Sequence, residues 1–259
     1  MRAMLVTTLL SVTLLGSGVA SSVFAEEPSA PTKCSRLMVF GGQKGYPLQD
    51  LGIDGSAGKY VTQNMLAVTC GHFTADWWSS TQLSGGTYGR RGKGDEHDFE
   101  LTYVNSVNTP IGKVNYAAYA AYFALDLGKG LGSTADDYAQ VYGEVSRPIA
   151  VSKSWTLSPF VRYIHNFPMT GAYHPLDWVR VGGRLNGSLF LPVVGKVATS
   201  MEVAHTTNFN SDGVVPFKEV WRGELDFAKP LGYGWTGTLG AKFTDHVGAT
   251  PLVKFTRAF

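Results

Sequence analysis

Charged residues in the second half of the chain recur at a spacing of two, which places them on one face of an extended strand. Arg180 and Arg184 share that face with Asn186 and Ser188, while Val179, Val181, Gly183, Leu185 and Leu189 take the other. The same parity puts Arg162, Arg222 and Lys242 on a polar face together with Asp98, Glu100, Glu144, Glu202, Glu224 and Asp226. Guanidinium, ammonium and carboxylate groups facing one another across a wet lumen set up a transverse field that orients polar solutes and passes small ions. Without water the same groups must pair with one another and fill the space. Both outcomes, a conducting lumen and a filled structural one, are open at this point.

Hydrolytic chemistry needs a nucleophile beside a base that a third polar group orients. Ser200, Glu202 and His205 lie close in sequence, but parity sends His205 to the face opposite Ser200. Asp76 and His97 fall at one end of neighbouring strands, where Asp76 would approach His97 and activate a water. This gives the weaker alternative of a hydrolase at the outer rim, and no catalytic residue is assigned. No metal site is expected: the two cysteines are 36 residues apart, no His pair has helical ligand spacing, and no acidic loop has calcium spacing. The run Gly89-Arg90-Arg91-Gly92-Lys93-Gly94 resembles a phosphate loop only superficially, with Thr87 in place of the leading Gly and no Ser or Thr after Lys93. It reads as a positively charged surface loop suited to lipopolysaccharide phosphates. No cofactor is expected.

The composition narrows the class. Only 16% of the 259 residues are charged, with a net charge of +2, 44% are hydrophobic, and there are 31 Gly and 12 Pro. That balance argues against a disordered chain and against a basic nucleic-acid binder. Met1 to Ala25 has Arg2, an apolar run from Leu5 to Leu15 and small residues up to Ala25, the pattern of a cleaved secretory signal. Since Arg2 is the one charged residue removed with it, the net charge of residues 26–259 is +1. Residues 26–33 are expected to form a short periplasmic segment ahead of a domain spanning 34–259.

That domain reads as all β. Period-2 alternation recurs throughout, while helical periodicity is not sustained over more than about ten residues. Tight connections containing Pro110, Pro148, Pro192 and Pro230 are spaced by 38, 44 and 38 residues, and longer polar or Gly-rich loops (81–96, 126–136, 167–176 and 207–217) fall between them. Strict alternation of short and long connections, separated by strands of bilayer-crossing length, is the pattern of a transmembrane up-and-down antiparallel barrel. Strands are expected at 34–42, 60–69, 73–80, 97–108, 113–125, 137–147, 153–166, 177–190, 196–206, 218–228, 235–245 and 251–259. Twelve is even, as closure with both termini on one side requires; ten is the fallback if 60–80 is one bent strand. Trp77, Trp78, Trp155, Trp178, Trp221 and Trp235 all fall at expected strand ends, where two interfacial aromatic girdles should lie. Cys34 and Cys70 fall at the periplasmic ends of the first two strands, which leaves a disulfide or two free thiols. Arg257, near the terminal Phe259, is placed to snorkel toward headgroups.

The segments Gly71-His72-Phe73-Thr74-Ala75-Asp76-Trp77-Trp78-Ser79-Ser80, Asp98-Phe99-Glu100-Leu101-Thr102-Tyr103 and Lys113-Val114-Asn115-Tyr116 through Tyr122-Phe123 resemble the TorF-type (Gcw_chp) family of small predicted outer-membrane porins. The similarity extends over residues 60–205. The chain departs from that family in carrying Val39-Phe40-Gly41-Gly42-Gln43-Lys44-Gly45 where an Arg-rich strand end is usual. The resemblance implies a porin without catalytic residues. We therefore expect an outer-membrane barrel of about twelve strands for passive diffusion of small hydrophilic solutes or ions, with membrane lipid and lipopolysaccharide as its surroundings. A non-conducting barrel serving as an anchor or surface-binding module is the alternative.

Overall fold

A computed structural model describes residues 34–44, 47–48, 53–54, 60–83, 96–124, 137–169, 175–209 and 217–259. The expected signal sequence, the 26–33 segment, the charged loop at 89–94 and the middle of each long loop lie outside the described residues. Twelve strands carry the architecture: β1 (Ser35–Lys44), β2 (Tyr60–Cys70), β3 (Phe73–Gln82), β4 (Glu96–Thr109), β5 (Gly112–Ala124), β6 (Tyr138–Ser146, continued by Ile149–Ser152), β7 (Trp155–Pro168), β8 (Leu176–Leu191), β9 (Gly195–Asn208), β10 (Glu219–Gly232), β11 (Trp235–Thr244) and β12 (Gly248–Ala258). Each pairs antiparallel with the next, and β12 returns to β1 in a ladder from Leu37↔Ala258 to Gln43↔Leu252. Closure leaves no exposed edge in the barrel. Phe40 stacks on Phe255 across this seam at 5.3 Å between ring centroids and meets Trp235 edge-on at 5.6 Å.

The alternation is inverted relative to a water-soluble domain. Along β7, Arg162 is 1% exposed between Val161 and Tyr163, each 51% exposed. Leu66, Leu101, Val145, Val181 and Leu239 likewise stand on the outside. An apolar outer belt around a charged interior is stable when the surroundings are hydrocarbon, and in water it would form an aggregating patch.

The ten-strand fallback is overturned between β2 and β3. Gly71 takes a left-handed φ of 61°, and Cys70 pairs directly with Phe73. The chain thus reverses in a two-residue turn instead of bending through one long strand. At the next reversal on that end, Pro110 presets the turn and Gly112, at φ 108°, supplies the following left-handed residue. The final connection at the opposite end, expected over 246–250, is confined to residues 245–247, as tight as those beside the termini. Cys34 and Cys70 are joined by a disulfide that ties the start of β1 to the end of β2.

The expected tryptophan girdles need correction. β3 runs on to Gln82, so Trp77 and Trp78 lie in mid-strand and, being adjacent, take opposite faces. Trp78 and Trp178 are each 3% exposed and belong to interior apolar clusters, the first with Val39, Val61, Met65 and Ala67, the second with Tyr119, Phe123, Tyr142 and Ile164. Trp178 shares the parity of Arg180, which turns it inward. Trp155 and Trp235 open β7 and β11 at the termini end, and Trp221 stands outside near the other end. Arg257 lies over the rings of Trp235 and Phe259, 5.4 and 4.7 Å from their centroids, its charge at the barrel's terminal rim.

Candidate functional site

The barrel interior gathers its charges into two sectors. From β6 to β10 a chain of arginines and carboxylates crosses the strands because β-pairing sets the partners level: Arg162↔Glu144, Arg162↔Arg180, Arg184↔Glu202 and Glu202↔Glu224 are register neighbours. Glu144 accepts from Arg162 Nε at 2.8 Å and Nη2 at 2.6 Å, and from Arg184 Nη1 at 2.6 Å and Nη2 at 2.8 Å. Arg184 Nε donates to Glu202 at 2.8 Å, and Arg222 Nη2 stands 3.5 Å from the other Glu202 oxygen. The guanidiniums of Arg162 and Arg184 cover the rings of Tyr142 and Phe160 at 4.1 and 3.9 Å, which holds their planes for two-pronged bonding to carboxylates. Arg180 Nε reaches Thr206 Oγ1 at 3.4 Å.

The network continues onto the last strands. Lys254 Nζ donates to Asp226 at 2.7 Å and to Glu224 at 3.2 Å, and Lys242 Nζ lies 3.9 Å from Glu224. Gly240 makes this possible: a Cβ there would overlap the Asp226 carboxylate and the Leu225 carbonyl. All of these charged side chains are buried, Arg180 and Arg222 completely.

The second sector is acidic. On the inward face of β3 and β4, Asp76 pairs with Glu100, Trp78 with Asp98, and Ser80 with Glu96. Asp98 and Glu96 are 0% and 2% exposed. By parity no Lys or Arg occupies the described inward positions of β2, β3 or β4. The walls therefore differ: carboxylates on β3 and β4, a mixed but base-rich arc from β7 to β12.

Every charged residue expected on the polar face is found inward, and three more belong with them. Lys254 and Glu96 were legible by parity, since Val253 and Phe255 flank Lys254 and Glu96 sits two residues from Asp98, whereas Asp76 was not, because Trp78 two residues on was expected at a girdle. The rim hydrolase loses its pair. Asp76 points inward, whereas His97 is on the outer face, where Trp77 Nε1 donates to its Nδ1 at 3.3 Å and the two rings stack at 5.7 Å. His205 is also outside, against Trp221, away from Ser200 and Glu202. Another outward histidine, His165, bonds Asp177 at 2.6 Å, and Tyr163 donates to the same oxygen. No described group of three His, Cys, Asp or Glu side chains converges tightly enough to hold a metal ion.

Known structures share the architecture. The KdgM porin superposes with a TM-score of 0.52 at 9% identity, covering 87% of this chain and 99% of its own. A KdgM porin in complex with disordered oligogalacturonate gives 0.51 at 7% identity, with coverage of 87% and 99%. The COG4313 outer membrane channel from Pseudomonas putida F1 gives 0.50 at 12% identity, with coverage of 90% and 98%. At these identities the shared property is the fold, the closed antiparallel β-barrel of outer-membrane proteins. No family model matches the chain, so the resemblance to the TorF-type family gains no support beyond the porin-like barrel. No curated protein matches it either.

Proposed function

We propose that this protein is an outer-membrane channel for passive diffusion of small hydrophilic solutes or ions, exported by a cleaved signal and seated in lipid and lipopolysaccharide. The observation that carries this reading is the placement of charge: an apolar exterior encloses a polar interior with an acidic wall on β3 and β4 and a mixed, base-rich arc from β7 to β12. Arg162, Arg180, Arg184, Arg222 and Lys242, with Asp98, Glu100, Glu144, Glu202, Glu224 and Asp226, are the lining groups, joined by Asp76, Glu96 and Lys254. A barrel of twelve strands has a bore between that of a filled eight-stranded barrel and a sixteen-stranded aqueous pore. Solutes therefore pass close to these side chains and feel their field at short range. The acidic sugar bound by the KdgM neighbour is not carried over, because Glu144 and Glu202 already occupy the guanidiniums that a polyanion would use.

A second reading has a specific observation behind it. The ion-pair network and the full burial of Arg180 and Arg222 suit a barrel filled by its own side chains, serving as an anchor or presenting its outer loops. Single-channel recording separates the two. Protein folded in a planar bilayer should give reproducible conductance steps with a defined reversal potential in a salt gradient; silence from demonstrably folded protein leaves the filled barrel.

A further inference from the structure

Four carboxylates on two adjacent strands face the interior without a basic residue on their own strands or on β2. Glu96, Asp98 and Glu100 repeat at i, i+2 and i+4, which spaces them by about 6–7 Å along β4, and Asp76 stands directly across from Glu100. Asp98 lies within electrostatic reach of Glu96, Glu100 and Asp76. It is completely buried, and neither of its oxygens has a hydrogen-bond partner. Gln63, opposite Ser80 on β2, is equally buried with both amide atoms unpaired. Buried acceptors left in this state cost free energy that a donor-bearing ligand recovers.

The arrangement selects the ligand. The carboxylates are strung along a strand and do not converge as a metal ion requires. Their spacing is about that of the two nitrogens of an extended four-carbon diamine, whose ammonium groups each bring three donors. Trp78, paired with Asp98, and Phe123, on its other side in β5, frame the row with apolar and π surface that suits the methylene links and the cationic ends. We propose that the inward face of β3 and β4 is a binding subsite for linear aliphatic polyamines, with Asp98 and Glu100 as its principal contacts and Asp76 and Glu96 extending it. The inference rests on the channel reading for access to the lumen, but it is tested separately.

The test is calorimetric titration of the folded barrel in detergent with putrescine and spermidine, with magnesium chloride and butylamine at matched ionic strength as controls. Saturable binding is expected, tighter for spermidine than for putrescine, and at least tenfold tighter for putrescine than for butylamine. The double variant Asp98→Asn/Glu100→Gln, shown to be folded by heat-modifiable migration, should weaken binding at least tenfold, while Glu219→Gln, on the outside, should not. Absence of binding, equal binding of butylamine or magnesium, or full binding by the double variant overturns the proposal. If the double variant does not fold, Asp98→Asn alone decides by the same tenfold criterion, and quenching of intrinsic tryptophan fluorescence by bound polyamine gives a second readout. Conductance without polyamine binding sinks the subsite and spares the channel; binding without conductance does the reverse.

Discussion

Glu144 holds two arginines at once, and its removal takes from Arg162 the carboxylate bonded at 2.8 and 2.6 Å and leaves Arg184 its bond to Glu202. Buried ion pairs add little relative to a well-packed apolar replacement, but breaking one partner out of such a pair costs about 3–5 kcal/mol because the remaining charge is stranded. Glu144→Ala is thus expected to lower barrel stability by about that amount, read as an earlier urea midpoint in lipid vesicles. Glu144→Gln keeps one acceptor oxygen for Arg162 or Arg184 and should lose less. The loss that Glu144→Gln still shows measures the stranded charge, because its volume is unchanged, and the further loss in Glu144→Ala measures the missing volume and acceptor. The histidines and tryptophans teach the complementary point at this scale. A position near a strand end drew Trp78 and Trp178 toward a lipid interface, but the face on which a residue sits is set by its parity, and both share parity with inward charges.

At the scale of elements, the N-terminal strands depend on a covalent clasp. The Cys34–Cys70 disulfide closes a loop of sequence separation 36 at the base of the first hairpin. Chain-entropy arguments assign such a loop about 3–4 kcal/mol of stabilisation, through restriction of the unfolded chain. Cys34→Ser should move the unfolding midpoint accordingly under oxidising conditions, and a reductant added to the parent protein before folding should reproduce the shift. If neither changes the midpoint, the first hairpin is held by the β1–β2 ladder from Ser35↔Thr69 to Lys44↔Tyr60 without help from the disulfide. The strands themselves were legible because alternation and proline-marked turns are local signals: all twelve were expected within a few residues of their observed limits. The limits of β3 were less legible, since Thr81-Gln82 opens the expected 81–96 loop in sequence yet pairs with β2 up to Val61↔Gln82. Local composition does not report pairing to a partner strand. The interior charges followed from parity, whereas their partners did not, because Arg184 reaches Glu144 across the intervening β7.

For the whole molecule, the decisive property is the separation of charge between walls. Asp76, Glu96, Asp98 and Glu100 line one side, while on the other Arg162, Arg180, Arg184, Arg222, Lys242 and Lys254 are only partly offset by Glu144, Glu202, Glu224 and Asp226. Each wall should therefore control one sign of ion. Neutralising Arg180 and Arg222 to Gln is expected to shift the reversal potential toward cation selectivity, and Asp98→Asn with Glu100→Gln should shift it toward anions. Both shifts must shrink with salt, since screening falls from about 10 Å at 0.1 M to about 3 Å at 1 M. Measurements at these two concentrations in the same bilayer check the sign and the screening together. Shifts of one sign for both variants, or shifts that do not change with salt, would mean that bore shape rather than the opposed walls sets permeation.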